Sequence, residues 1–199
     1  MPEDTRKPGL VLASASPRRL ELLRRIEIEP DRIEAATFDE AARPGELPRA
    51  LAARLAEAKA RAVARGHPGM VVLGADTVVA RGRRVLPKPD DAAAARRCLE
   101  LLSGRRHRVI GGICVIGADG RAHRRLVLTR VRFKRLAADE IDAYLASGEW
   151  RGKAGGYAIQ GRAAALIPWI EGSYSNVVGL ALYETATLLA ACGIRPSLP

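Results

Sequence analysis

Strand-like and helix-like segments alternate along this chain, and the alternation is the feature that most limits the folds it can adopt. Short apolar runs such as Leu10–Ala13 indicate buried strands, and the Ala- and Leu-rich stretch 49–65 has the spacing of a helix. This alternation favours an α/β domain. Residues 109–116 and 126–133 predict two strands paired across an Asp-Gly turn, which makes the sheet mixed. We therefore expect a mixed twisted sheet flanked by helices.

Turn and capping residues set the boundaries of the remaining expected elements. The whole chain, 1–199, is expected to form a single domain, since no linker or repeat divides it. The remaining elements are a loop over 29–48, strand-like runs at 70–73 and 78–80 on either side of residues 74–77, a helix from Asp90 or Asp91 to 102, a helix capped by Asp139, and a last helix over about 181–191.

The composition predicts a protein of the cytoplasm. With 199 residues, the chain is long enough to bury a sizeable core. No apolar run approaches the roughly 20 residues that span a bilayer, and residues 1–7 lead into no long apolar segment, so neither a membrane span nor a secretory signal is expected. Three distant cysteines without metal-binding spacing are expected to be reduced core thiols: Cys98, Cys114 and Cys192.

The charge balance indicates either an anionic partner or a solvated basic surface. The formal net charge is +11, from 33 Lys and Arg against 22 Asp and Glu. Aromatic residues make up 4% of the chain and do not interleave with a basic stripe, so a stacking surface for single strands is poorly supported. We expect no stable nucleic-acid complex, and the charge mildly favours a ligand that carries phosphate.

The segment from Ser14 to Arg19 has the composition of a phosphate cradle. It follows an apolar strand, Ser16 suits a helix N-cap, and Pro17 suits the first helical position. The free N–H groups of the helix start, the serine hydroxyls and the guanidiniums of Arg18 and Arg19 would then lie in one small volume. The alternative is a capped surface helix with two solvated arginines.

Two carboxylates are candidates for metal binding or proton transfer. Asp76 lies between two apolar runs, where an unpaired carboxylate is costly, and Glu40 is a distant residue that could join it. Oxygen ligands of this kind suit Mg²⁺ or Mn²⁺ when substrate phosphates complete the coordination. The alternative for Asp76 is a residue at the end of a strand that caps a turn with Thr77.

Three further polar residues are candidates for substrate contacts. Lys59 lies on an alanine-flanked helical face, Lys88 is held between two prolines, and Gln160 lies in the glycine-rich stretch 153–161. The lysines suit phosphate contacts, and the amide can both donate to and accept from the edge of a base. The alternatives are an exposed helix lysine, a turn residue and a loop that satisfies its own backbone. The histidines share no metal-ligand spacing and are expected at the surface or in turns: His67, His107 and His123.

Taken in chain order, these segments resemble the Maf family of nucleoside triphosphate pyrophosphatases. The resemblance implies a fold like that of Maf and inosine triphosphate pyrophosphatase proteins, with two lobes around a cleft. It covers nearly the whole chain. The matching stretches are 14–19, 39–40, 58–60, 74–77, 88–89, 102–104 with His107, 157–161 and 172–180.

The resemblance also implies an activity and residue roles. The reaction would be hydrolysis of a nucleoside triphosphate to the monophosphate and pyrophosphate with a divalent metal, and Asp76 would accept the proton. Arg18, Thr77 and Gln160 match the branch that looks like a dTTP/UTP pyrophosphatase. Family members are often dimeric, so a homodimer is possible. The phosphate-binding set would be Ser14, Ser16, Arg18, Arg19, Lys59 and Lys88, and the metal would lie near Glu40 and Asp76.

Two positions depart from the family pattern, and one rival function remains open. Gly111-Gly112 stands where Thr-Gly is usual, and Ala181 stands where a proline usually begins the last helix. The first departure concerns local ligand contacts and the second concerns helix entry. The rival is a non-enzymatic nucleotide- or nucleic-acid-binding regulator of cell division, which would use the basic charge and the phosphate cradle but leaves the two carboxylates unexplained.

Overall fold

The computed structural model describes residues 8–196, and its helices pack around one mixed β-sheet. Short 3₁₀ turns at Ala154–Gly156 and Arg162–Leu166 lie between α4 and β7. The strands are β1 (Leu10–Ala13), β2 (Arg32–Ile33), β3 (Val71–Arg81), β4 (Arg84–Leu86), β5 (Arg106–Ile116), β6 (Ala122–Arg132) and β7 (Trp169–Glu171), and the helices are α1 (Pro17–Arg24), α2 (Pro48–Ala64), α3 (Ala92–Leu102), α4 (Ala138–Ala146), α5 (Tyr174–Val178) and α6 (Leu182–Ala191).

The sheet has seven strands in the order β2-β1-β3-β5-β6-β7, and β4 pairs with β3. Strand β1 is parallel to β2 and β3, whereas the other pairs are antiparallel. Helix α2 packs on one face of the sheet, and α1, α3, α4 and α6 pack on the other. The expectation of a mixed sheet flanked by helices is therefore confirmed.

Two glycines allow α2 to lie unusually close to the sheet. A Cβ atom added at Gly74 of β3 would lie 2.5 Å from the carbonyl oxygen of Ala56. A Cβ atom added at Gly112 of β5 would lie 2.1 Å from the carbonyl oxygen of Ala52. The glycines of the sheet and the alanines of the helix thus leave room for the two backbones to lie close together. Lys59 lies on the same buried side of α2 and is carried down toward β3.

Several element boundaries differ from the expectations. The runs 70–73 and 78–80 are one continuous strand, because residues 74–77 all pair with β5. Asp76 therefore lies in the middle of a strand, and the expectation of a strand end was wrong. Strand β2 lies within the segment 29–48 that was expected to be a loop, and the N-cap of α4 is Ala137 rather than Asp139.

Other boundaries agree closely. Strands β5 and β6 pair across the predicted turn, and the carboxylate of Asp91 accepts a hydrogen bond from the Ala94 N–H as the N-cap of α3. Ser16 is the N-cap of α1, although its hydroxyl makes no capping bond. All three cysteines are free thiols, and Cys98 and Cys114 are buried.

Among residues 8–196, no helix is both long and apolar enough to cross a membrane. The expectation about a secretory signal rests on residues 1–7, which lie outside the described residues. The expectation that 1–199 form a single domain stays a prediction for the same reason.

Candidate active site

A cleft opens where the start of α1, the middle of β3 and the segment 153–160 meet. It consists of two adjoining cavities of about 70 and about 390 Å³. Glu40 and Ser14 line the larger cavity, whereas Thr77, Asp76 and Gln160 line the smaller one. The cleft thus contains every site residue predicted from the sequence. The side chains that line both cavities are Ser16, Arg18, Arg19, Lys59 and Lys88.

Arg19 is buried, and its guanidinium is already hydrogen-bonded to other residues of the protein. Its Nε donates to the carbonyl of Gly179 at 3.0 Å, and its Nη1 donates to the Ser14 hydroxyl at 3.0 Å. A longer bond of 3.4 Å joins Nη2 to the Thr77 hydroxyl. Burial lowers the pKa of Arg19, and the nearby Asp76 carboxylate opposes that shift. Arg19 therefore ties the β1–α1 turn, β3 and the segment before α6 together.

Arg18 and Lys88 differ from Arg19 because neither side chain has a hydrogen bond or ion pair with another described residue. Arg18 is half-buried, and desolvation lowers its pKa. Lys153 lines the same cavity and donates to the carbonyl of Arg151 at 3.1 Å; burial and the nearby Arg18 charge lower its pKa. Sequence reasoning singled out the glycines after Lys153 but not Lys153 itself, and the signal that could have found it is its place at the start of that turn.

The charged centre of the cleft is the buried ion pair between Lys59 and Asp76, and the Glu40 carboxylate also lies within ion-pair distance of the Lys59 ammonium. Lys59 Nζ lies 2.6 Å from Asp76 Oδ1 and 3.1 Å from Glu40 Oε1. Lys59 and Asp76 are each 8% exposed, whereas Glu40 is exposed. Asp76 is paired in register with Gly112, on the face of the sheet that α2 covers, so the close approach of α2 places the ammonium against it. The structure thus brings together three residues far apart in sequence.

The carboxylates of Glu40 and Asp76 supply the kind of oxygen ligands that a divalent cation prefers. Both carboxylates reach one cation already, since the Lys59 ammonium lies within ion-pair distance of each. Residues 8–196 contain no cluster of three or more His, Cys, Asp or Glu side chains that could hold a metal by themselves. Mg²⁺ is commonly held by one or two carboxylates together with substrate phosphates, and this donor set fits that arrangement.

Part of the smaller cavity is lined by apolar residues, and we call that part the slot. The slot is formed by Val79, Ala154, Tyr157, Val177 and Val178. Two polar residues line the same cavity: Thr77, whose hydroxyl lies 3.4 Å from the carbonyl oxygen of Gly179, and Gln160, which is exposed. A slot of this kind can hold a flat ring and test the hydrogen-bonding groups on its edge.

His107 is buried, and the expectation that it lies at the surface or in a turn was wrong. It is 2% exposed on β5, and its Nε2 lies 2.7 Å from the Tyr157 hydroxyl in the wall of the slot. Desolvation lowers its pKa to about 4. Strand alternation was the signal that could have found it, because His107 shares a face with buried Val109.

The two departures from the family pattern lie outside the cleft. A Cβ atom at Gly111 would lie 1.9 Å from Asn176 Oδ1, so the glycine makes room for that buried amide. Helix α6 begins at Leu182 with Ala181 as its N-cap, without a proline. Neither residue lines either cavity.

Comparison with known proteins adds sequence relatives to this geometry. The family described as "Maf-like protein" matches residues 9–192. A "dTTP/UTP pyrophosphatase" of Paramagnetospirillum magneticum is 65% identical over 187 residues, covering 94% of this chain and 98% of that protein. Another "dTTP/UTP pyrophosphatase", of Rhodospirillum rubrum, is 61% identical over 194 residues, covering 97% and 92%. A crystal structure of a nucleoside-triphosphatase / dITP/XTP pyrophosphatase from Mycobacterium abscessus overlaps with a TM-score of 0.42 and 18% identity, covering 65% of this chain and 75% of that chain.

Proposed function

The chain belongs to the Maf-like protein family, and we propose that its cleft hydrolyses dTTP and UTP to the nucleoside monophosphate and pyrophosphate. One observation carries the proposal: cations whose side chains have no partner among residues 8–196 and a buried Lys–Asp pair line the same cavity as Gln160 and the apolar residues of the slot. A triphosphate and a base need those two environments side by side. The relatives named dTTP/UTP pyrophosphatase support the hydrolase over the non-enzymatic regulator.

Asp76 is the proposed proton acceptor for the water that attacks the α-phosphorus. Its Oδ1 is fixed by the Lys59 ammonium at 2.6 Å, which orients the carboxylate and offsets its charge. Asp76 lies within the continuous ladder between β3 and β5, which is a rigid support, so the carboxylate keeps one position relative to the cleft. Bond formation by the water oxygen and departure of pyrophosphate then occur in line.

The cations of the cleft bind the triphosphate in this mechanism. Arg18 and Lys88 are free to bind phosphate oxygens, and Arg18 can do so with two parallel hydrogen bonds. Ser14 and Ser16 lie in the turn that leads into α1, and the positive end of that helix dipole favours an anion there. Arg19 contributes charge while its three hydrogen bonds hold the walls in place. Lys59 lines both cavities with these cations and is paired with the two carboxylates.

Glu40 and Asp76 are the residues that would hold a divalent cation, Mg²⁺ or Mn²⁺, and such an ion supplies neutralisation of charge on the leaving pyrophosphate. Thr77, Gln160 and Arg18 are the proposed determinants of base selection, since all three line the smaller cavity. The Gln160 amide can donate to and accept from the edge of a pyrimidine. The activity fits a cytoplasmic location, where the nucleotide pool lies, and it needs no nucleic-acid complex.

The test is pyrophosphate release by the purified protein with Mg²⁺ or Mn²⁺ across dTTP, UTP, CTP, GTP, ATP, ITP and 7-methyl-GTP. We expect release from dTTP and UTP above the rest. Asp76→Asn should keep its fold and lose at least about 100-fold in turnover, in the range of a general base. Asp119→Asn, at an exposed turn, is the matched control and should behave like the wild type.

Three results would contradict the proposal in different ways. Preference for 7-methyl-GTP would keep the reaction and overturn the assignment of base selection. Unchanged turnover in Asp76→Asn would remove that carboxylate from the mechanism. No release from any nucleotide with either metal would overturn the hydrolase itself.

A further inference from the structure

The segment that carries Gln160 is hydrogen-bonded to side chains that do not line the cleft. The Ala158 N–H donates to the Tyr144 hydroxyl at 3.0 Å, and the Arg162 N–H donates to the Glu149 carboxylate at 2.8 Å. The Gln160 side chain itself is exposed. Its position is therefore set by the backbone of its segment and by the contacts of its neighbours.

A further anchor of this segment is the hydrogen bond between Tyr157 and His107. The Tyr157 hydroxyl lies 2.7 Å from His107 Nε2, and both side chains are buried. The Tyr157 ring meets the Phe133 ring edge-on at a centroid distance of 5.0 Å and the His107 ring at 5.4 Å. Tyr157 thus lines the smaller cavity, while its hydroxyl is bonded in the interior.

His107 is a polar residue in an otherwise apolar cluster, which needs a physical reason. Val79, Val109, Val131 and Phe133 belong to the same cluster, and the His107 Nδ1 has no partner among residues 8–196. A leucine or phenylalanine would fill such a space without burying an unpaired polar atom. The one hydrogen bond that His107 makes from its side chain goes to the wall of the slot.

We propose that His107 is a positioning residue that, through Tyr157, fixes the wall of the slot and the segment carrying Gln160, and so determines how tightly the base is bound. The inference rests on the proposed function, because it assigns the base to this slot. His107 does not touch the substrate. It acts by limiting the positions that Tyr157 and Gln160 can adopt before the nucleotide arrives.

The experiment compares His107→Phe, Tyr157→Phe and the double variant in steady-state hydrolysis of UTP and CTP. Each single variant loses the same hydrogen bond, and we expect a rise in KM for UTP of about tenfold, the equivalent of one buried hydrogen bond, with kcat changed by less than about twofold. The preference for UTP over CTP should fall with it. The double variant should be no worse than either single one, since both remove one interaction. His107→Gln, which keeps a group that can bond the hydroxyl, should restore KM, and Tyr183→Phe, at an exposed tyrosine, is the control.

A merely structural role would give a different pattern, because partial unfolding lowers apparent kcat and leaves KM unchanged. A lower kcat with an unchanged KM in both single variants would overturn the proposal, as would an unchanged KM and kcat. Additive effects in the double variant would also overturn it. A second readout needs no turnover: backbone amide exchange of residues 158–161 without nucleotide should be faster in both single variants and unchanged in Tyr183→Phe. Absence of hydrolysis by the wild type would contradict the proposed function alone, and unaltered exchange would contradict the positioning role alone.

Discussion

Lys59 and Asp76 are the residues on which the centre of the cleft depends most. Each is 8% exposed, so both charges have lost most of their water, and their attraction at 2.6 Å must offset that loss. Glu40 shares the ammonium from the exposed side. Removal of the Lys59 ammonium leaves the Asp76 carboxylate buried without its partner, which is the expensive case, whereas removal of the Asp76 charge leaves Lys59 paired with Glu40.

The residue-scale prediction is that Lys59→Met lowers the free energy of unfolding by about 3 to 5 kcal/mol, the usual cost of stranding a buried charge. Adding Asp76→Asn in the same chain should recover part of that loss, because the stranded carboxylate is then neutral. Denaturant unfolding of the single and double variants measures both effects. Arg61→Met on the same helix is the control: its ion pair is 52% exposed on the arginine side, and we expect a change below about 1 kcal/mol. Equal losses in Lys59→Met and Arg61→Met would show that the buried pair contributes nothing.

The sequence identified the charged residues of the cleft, but it did not reveal how Arg19 and His107 are used. Asp76 and Lys59 stand out because charge in apolar surroundings requires a partner, and that rule needs no coordinates. Arg19 was expected to bind phosphate like Arg18, yet it is bonded to Gly179, Thr77 and Ser14. Those partners lie up to 160 residues away in sequence, so local reasoning could not assign them. The expected surface position of His107 was wrong because a lack of metal-ligand spacing says nothing about burial, whereas strand alternation places His107 on a buried face of β5.

At the scale of elements, the contact between α2 and the sheet sets the geometry of the charged centre. Gly112 lies opposite Asp76 in the β3–β5 ladder, and its missing side chain leaves room for the carbonyl of Ala52. Backbone cannot move aside as a flexible side chain does. Any added Cβ atom at Gly112 must therefore push α2, and Lys59 with it, away from β3.

We predict that Gly112→Ala costs about 1 to 3 kcal/mol in stability, the range for overpacking a closed interior, and lowers turnover at the same time. The expected cause of the second effect is a longer distance between Lys59 and Asp76. Gly66→Ala is the matched control, because its Cβ atom would meet nothing closer than 3.6 Å and its φ is not positive. Calorimetry and pyrophosphate release measure the two effects. Turnover like that of the wild type in a destabilised Gly112→Ala protein would separate α2 packing from catalysis.

The elements also show where sequence patterns succeed and fail. Helix α3 and the β5–β6 pair were predicted because a capping aspartate and an Asp-Gly turn act locally. Strand β3 was divided in two because the glycine and the charge in residues 74–77 break an apolar run. Pairing with β5 and packing under α2 overcome that local weakness, and both are tertiary contacts.

For the whole molecule, stability should depend on pH through two separate sets of groups. Burial lowers the pKa of His107 to about 4, from an ordinary value of 6.5, and the group that faces it is the neutral Tyr157 hydroxyl. Ion pairs with arginines hold the pKa of Glu46 and of Glu57 at about 2. The histidine acts between pH 6.5 and 4, and the glutamates act below their ordinary value of 4.5, so the two windows scarcely overlap.

Between pH 6.5 and 4 the unfolded chain binds a proton at His107 that the folded chain does not, so stability must fall as the pH falls. The loss should approach about 3 kcal/mol near pH 4, since each unit of pKa shift corresponds to about 1.4 kcal/mol. Denaturant unfolding at pH 7, 6, 5 and 4 measures the slope. His107→Phe should flatten the curve in this range and leave the steeper loss below pH 4 in place, because Glu46 and Glu57 are unchanged. His123→Asn, at a half-buried histidine on β6, is the control and should follow the wild type. A slope that survives in His107→Phe would mean that another group governs acid stability, and it would remove the buried histidine from that role.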